Sequence, residues 1–216
     1  MADFQAAKRR FYELRCQKAA EGLERRGFQT VVVESREAAV QQILELVPPE
    51  ATVGVPGSVT IRELELLPRL EQRGNPVIQH WIPGLPKEEG RRLRREELLA
   101  DVLLTSTNAL TLDGQLVNID GGGNRVAAMI FGPDKVILVV GANKICDDLE
   151  AALFRAKKIA APINALRLNT ATPCAKTGYC VDCQTPNSIC AVTVIMDKKP
   201  GLADITVILV PEELGY

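Results

Sequence analysis

Aromatic side chains are scarce. Phe, Tyr and Trp make up 4% of the 216 residues, with a single tryptophan. Val, Ile, Leu and Ala must therefore fill the core, which suits parallel strands buried beneath helices. Histidine is represented by His80 alone. That removes the residues for a histidine-rich metal site and leaves a nucleophilic triad unsupported. No G-x-S-x-G, H-E-x-x-H or P-loop pattern occurs either. Excess charge is also missing. The net charge of −1 predicts no bulk attraction to nucleic acid or to a membrane surface. No apolar run approaches the roughly 20 residues that span a bilayer. The first residues, Met1-Ala2-Asp3-Phe4, lack an apolar signal core. The expectation is a cytoplasmic protein without membrane insertion, whose cysteines are reduced.

Hydrophobic residues at 46% and charged residues at 25% describe an ordinary globular chain, long enough to bury one substantial core over residues 1–216. Phe4, Ala7, Phe11, Leu14, Ala19 and Leu23 recur at helical spacing, predicting an amphipathic helix over about 3–26 that Gly27 ends. A β-branched strand over 28–33 follows, then a helix capped by Ser35 that stops before Pro48-Pro49. Strand and helix go on alternating. Strands are expected at 52–55, 76–81, 101–106 and 135–140, and helices at 59–70, 87–100 and 147–160. Residues 108–119 form a hairpin turning at Asp113-Gly114. This alternation predicts an α/β, Rossmann-like, mostly parallel sheet with helices on both faces. Residues 170–191 break the pattern as an irregular excursion rich in Cys, Thr, Pro and Gly, before strands at 192–196 and 205–210. The basic run Arg91, Arg92, Arg94, Arg95 lies among Glu88, Glu89, Glu96 and Glu97 and reads as a solvated helical face of mixed charge pairs.

Within that excursion Cys174, Cys180, Cys183 and Cys190 are spaced C-x5-C-x2-C-x6-C. In a reducing compartment, such a cluster points to metal chemistry rather than disulfides. Two intervening residues let Cys180 and Cys183 face one ion, and Pro173, Gly178 and Pro186 supply turns for the outer pair. With no histidine near, four thiolates suit a tetrahedral zinc ion or a cuboidal iron–sulfur cluster, and the spacing fits both. Cys16 and Cys146 lie in helical contexts and read as packing residues.

Three small-residue loops carry the candidate ligand site. Thr52 to Thr60 runs strand, tight turn, helix start. Gly57 permits close backbone approach, while Ser58 and Thr60 bring hydroxyls that can hold a phosphate or carboxylate. It is not the dinucleotide fingerprint. Asn118 to Arg125 contains Gly121-Gly122-Gly123, a costly run for a plain turn, flanked by Asp120, Asn124 and Arg125, which suit an oxygen-rich ligand. Asn143 and Lys144 follow the most apolar strand, and Asn108 follows the 101–106 strand. Ligands of open α/β sheets bind beyond strand carboxyl ends. Lys144 could neutralise an anion or act chemically if desolvated; Asp120, Arg125 and Lys144 are the catalytic candidates. His80, beside Trp81 without a local carboxylate pattern, reads as structural.

The stretches Val53–Leu64, Thr107–Arg125 and Phe131–Ile145, with Thr172–Cys183 and Cys190, resemble the LUD-domain family, named for bacterial lactate utilisation proteins, in a short branch that carries the cysteines. The likeness spans nearly the whole chain. It implies a fold similar to sugar-phosphate isomerases and acyl-CoA transferases, in which a Gly-Ser-Thr-type loop holds phosphate; Gly57, Ser58 and Thr60 match it in kind. It also implies a place in oxidation of lactate to pyruvate beside redox subunits, which tips the cysteine site towards iron–sulfur while leaving zinc open. It carries over no catalytic residues. One departure is Pro56, which stands where the loop commonly has glycine; it removes an N–H and stiffens the approach. The sequence leaves two main readings open. One is an enzyme or enzyme subunit acting on a small anionic metabolite, the other a non-catalytic metal-bearing partner or sensor. An isomerase or acyl transferase is a third. The absence of Glu between Glu97 and Glu150 counts against acyl transfer through a carboxylate nucleophile.

Overall fold

In a computed structural model, residues 3–216 are described; Met1 and Ala2, which belong to the N-terminal stretch considered above, lie outside the described residues. The alternating pattern becomes strands β1 (Gln29–Val32), β2 (Val53–Val55), β3 (Val77–Gln79), β4 (Val102–Thr105), β5 (Ala109–Thr111), β6 (Leu116–Asp120), β7 (Lys135–Gly141), β8 (Ile145–Cys146), β9 (Val192–Met196) and β10 (Asp204–Val210). Helices are α1 (Phe4–Arg25), α2 (Arg36–Leu46), α3 (Val59–Glu63), α4 (Leu67–Gln72), α5 (Lys87–Glu96), α6 (Asn124–Ile130), α7 (Leu149–Arg155), α8 (Ala161–Arg167) and α9 (Pro173–Thr177).

The main sheet has six parallel strands in the order β1-β10-β7-β4-β2-β3. Its strands alternate sides, as the two-residue period of a strand requires. Leu103, Val136, Leu138, Val140, Ile205, Val207 and Leu209 join one core with Cys16, Ala19, Leu23 and Met129 of the covering helices. Val102, Leu104, Ile137, Val139, Ile208 and Val210 join another with Ala39, Val40, Ile43 and Ile61. Helices therefore cover both faces, as the sequence pattern predicts. From β2 the chain steps outward to β3, then returns to β4 and onward to β7 and β10. The direction of winding thus reverses at β2 and β4, the kind of place where open α/β sheets bind ligands. A second sheet, β8-β5-β6-β9, contains the expected hairpin, β5 and β6 pairing antiparallel.

Four local expectations need correcting. The helix predicted over 59–70 is two, α3 and α4. Glu65 takes φ 49° between them, and Pro68 opens the second. Pro162 does not stop the helix before it. A wider π turn, Ala156–Ala160, absorbs the lost N–H and the chain continues into α8. Cys146 lies on strand β8, not a helix, though it is buried as expected. The predicted inward stripe of α1 is buried only in its second half: Phe4, Phe11 and Leu14 are exposed. Among the described residues no helix is long and apolar enough to cross a membrane.

Candidate functional site

Five strands of the main sheet send their carboxyl-end loops to one place. Pro56–Thr60 after β2, His80 and Trp81 after β3, Ser106–Asn108 after β4, Lys144 after β7 and Tyr216 after β10 all line a cavity of about 700 Å³. The smaller sheet adds Ile119–Gly122 from the end of β6, followed by Asn124 and Arg125. The three small-residue loops expected to cooperate thus share one cavity. Its basic side chains are Arg94, Arg125, Lys144 and Arg167, against one carboxylate, Asp120. Gly123 and Asn143 do not line it. Gly123 caps α6 with φ 79°. The Asn143 amide accepts from Leu214 N and donates to the Gly215 carbonyl, both at 3.1 Å, clamping residues 214–215.

Gly57 is glycine for two reasons. Its φ is +75°, and a Cβ there would come within 2.8 Å of the Trp81 indole nitrogen. The Ser58 hydroxyl accepts from Ile61 N and so caps α3. The triple-glycine turn also has an internal explanation. Asp120 Oδ1 accepts from Gly122 N and Gly123 N at 2.9 Å each, and Oδ2 accepts from Val126 N at 3.3 Å. The N–H groups that could have cradled a ligand hold the chain's own carboxylate instead. Asp120 is spoken for, which weakens its reading as a free base.

Arg125 is similarly engaged. Its guanidinium donates to Asn118 Oδ1 at 2.6 Å, Ile119 O at 2.9 Å, and Ser106 O and Asn108 Oδ1 at 3.2 Å. Asn108 in turn accepts from Ile119 N at 2.8 Å. Arg125 is a largely enclosed strut that ties β4 to β6 and gives the cavity positive potential; its terminal nitrogens are taken up by the framework, and Nε lies 3.9 Å from Asp120 Oδ2. Arg155 does the same from α7, donating to Asn143 O at 2.8 Å and to the Asn108 carbonyl.

Lys144 differs from these. It is 3% exposed, and its Nζ donates to Thr60 Oγ1 at 2.7 Å and Ser106 Oγ at 3.0 Å. Burial, reinforced by the charges of Arg155 and Arg125 and opposed by Glu63, pushes its pKa down to about 7. Gly215 packs close beside this corner, since a Cβ there would lie 3.3 Å from Nζ.

Sequence reasoning missed several wall residues. His80 is paired with a carboxylate after all: Nδ1 lies 2.6 Å from Oε1 of Glu97, which is fully buried and whose Oε2 has no hydrogen-bond partner among the described residues. The partner is 17 positions away and enters from the turn after α5. Arg94 leaves the solvated face that Arg92, Glu89 and Glu96 share and reaches the cavity. Arg167 of α8 stacks on Trp81 with its guanidinium 4.1 Å from a ring centroid and donates to Tyr216 Oη at 2.7 Å.

The four loop cysteines are all free thiols. Cys174 on α9 is buried, with the Thr172 hydroxyl 3.4 Å from Sγ; Cys180 and Cys183 are half-buried and Cys190 exposed. Burial raises the Cys190 pKa, and the nearby thiols of Cys180, Cys174 and Cys183 raise it further. The donor set has the soft sulfur chemistry that zinc or an iron–sulfur cluster requires. Even so, among the described residues no group of three or more His, Cys, Asp or Glu side chains is placed to hold a metal ion. Ser188 and Ile189 of the same loop line the cavity, and a Cβ on Gly121 would come within 3.1 Å of Ile189 Cα.

Fold and site together define an α/β protein with a cationic cavity at the carboxyl rim of a parallel sheet. The sequence matches the LUD domain over residues 16–210, and the chain belongs to that family. No curated protein sequence matches it. Among solved structures it is similar to the crystal structure of a DUF162 family protein from Deinococcus radiodurans. That likeness has a TM-score of 0.49 and 16% identity, over 94% of this chain and 98% of the other. A more distant likeness is to eIF2B delta from Chaetomium thermophilum. Its TM-score is 0.33 at 20% identity, over 70% of this chain and 54% of the other.

Proposed function

We propose that this LUD-domain protein binds a small anionic metabolite of the hydroxy-acid or oxo-acid class in the rim cavity, as a component of lactate utilisation. The observation that carries this reading is the imbalance of charge on the cavity wall: three guanidiniums, Arg94, Arg125 and Arg167, face a single carboxylate whose oxygens already accept backbone N–H groups. Such a wall favours an anion and repels a cation. Arg94 and Arg167 lie at its exposed side, whereas Arg125 contributes charge from within the framework. The family resemblance supplies the link to lactate. An acyl-transfer reading is less well supported, because it needs a free carboxylate and Asp120 is held by the glycine turn.

The test is a thermal-shift screen with lactate, pyruvate, sugar phosphates and CoA esters, since a ligand of the native state raises its stability. Lactate or pyruvate should raise the midpoint in the intact protein and much less in Arg94→Ala combined with Arg167→Ala. Equal shifts in both proteins, or none with either acid, would contradict the reading.

The cysteine loop belongs to the same proposal. Cys174, Cys180, Cys183 and Cys190 would hold a thiolate-ligated zinc ion or an iron–sulfur cluster, drawing together from their present spacing. An iron–sulfur cluster would supply electron transfer to partner redox subunits; zinc would supply only a brace. Support comes from four free thiols on one loop whose neighbours Ser188 and Ile189 form cavity wall. Anaerobically purified protein should contain stoichiometric metal. Broad absorbance near about 400 nm with iron and sulfide indicates a cluster, and a colourless zinc protein indicates the brace. Metal-free protein retaining its full thermal stability would contradict the metal site.

A further inference from the structure

Lys144 is the buried group that anion binding leaves unexplained. Lysines are almost never buried without a paired carboxylate. Here Nζ is held by two hydroxyls, Thr60 Oγ1 and Ser106 Oγ. Two acceptors match the two N–H bonds of a neutral amine and leave an ammonium one N–H short. The charged groups felt by it from the surrounding elements are Arg155 on α7, Arg125 on α6 and Glu63 on α3; the two guanidiniums disfavour protonation, and Glu63 opposes them. Glu63 is itself committed, accepting from Gly215 N at 2.6 Å. Lys144 lines the cavity at the junction of the β2, β4 and β7 loops, with Nζ bonded to Thr60 and Ser106 of the first two. With its pKa pushed down to about 7, a substantial fraction of the amine is neutral at neutral pH, and inside a cationic cavity that fraction is a nucleophile towards a bound anion.

We propose that Lys144 forms an imine with the carbonyl of a small 2-oxo acid bound in the cavity. The proposal rests on the anionic-metabolite reading and narrows it to carbonyl compounds. Nζ bonds to the carbonyl carbon, the carbon–oxygen bond breaks, and the oxygen leaves as water carrying both protons of the amine. Nothing is oxidised or reduced, and no co-reactant is consumed. The Thr60 and Ser106 hydroxyls are placed to pass those protons. The carboxylate of the oxo acid is drawn to the same wall by Arg94 and Arg167.

The test uses the intact wild-type protein with pyruvate or glyoxylate and sodium cyanoborohydride over pH 6–10, followed by peptide mass mapping. Every other lysine serves as an internal standard, so the result does not depend on a variant that folds. At pH 7.5 the reduced adduct should form at Lys144 at least about tenfold faster than at exposed lysines, whose amines stay protonated up to about pH 10. Its advantage over the exposed lysines should be largest near neutral pH and shrink as pH approaches 10, where their amines lose the proton too. Lactate, which lacks the carbonyl, should slow it by competition, and Lys144→Met should abolish it. Modification of Lys144 no faster than that of exposed lysines overturns the inference. If pyruvate still raises the melting temperature in that case, the anion pocket stands and only the amine's role falls. If neither effect is seen, both fall.

Discussion

At the scale of the residue, the site is built from charges that the fold holds at a cost. A depressed lysine pKa means that the unfolded chain binds a proton the folded chain binds less readily. The penalty from Lys144 is therefore fully present below pH 7 and fades as pH rises from about 7 to 10.5. Lys144→Met removes it. The variant should be more stable than the parent at pH 6 by up to about 5 kcal/mol, the fall from 10.5 to about 7 at about 1.4 kcal/mol per pKa unit, less whatever the lost hydrogen bonds to Thr60 and Ser106 contribute, and the gain should shrink towards pH 10. Urea denaturation at both pH values checks this; a variant destabilised throughout would contradict the account of a strained amine. Lys144, Asn108 and Arg125 were legible in the sequence because each follows a strand end, or a glycine run, at short range. His80 was not, because its partner Glu97 is brought to it only by the packing of α5 and the turn after it. Arg155 and Arg167 were not, because each sits on a helix whose facing is set by tertiary packing.

At the scale of the element, small residues serve close packing as often as ligand approach. The triple-glycine turn wraps Asp120, and its expense buys an internal cap. Gly22 of α1 lies against the hairpin turn, where a Cβ would come within 2.4 Å of Leu112 O; a Cβ on Gly114 would lie 2.3 Å from the Gly22 carbonyl carbon. Gly22→Ala should therefore pry α1 from the hairpin and cost about 2 kcal/mol or more, read as a lower denaturation midpoint. An unchanged midpoint would contradict this close packing of α1 on the hairpin. Nothing in the local pattern foretold it, since Gly22 lies in a stretch that reads as continuous helix. The π turn was hidden for a related reason: proline signals a lost hydrogen bond but not how the neighbouring turn recovers it. The cysteine spacing was plain in the sequence, whereas the packing of that loop on Gly121 was not.

At the scale of the whole molecule, the parallel sheet was legible because its strands are apolar on both faces and its helices alternate with them. The order in which the strands lie was not, yet that order sets the site. Reversal of winding at β2 and β4 opens the crevice, and β3, β7 and β10 bring their carboxyl-end loops to it. The account stands on this cationic cavity being a receptor for a small acid. Trp81, the chain's only tryptophan, lies on the cavity wall beneath Arg167 and reports on it directly. Titration of the protein with pyruvate and with lactate, at constant ionic strength, should change Trp81 fluorescence saturably, with chloride giving no comparable response. A flat or purely linear response to both acids would contradict the central claim.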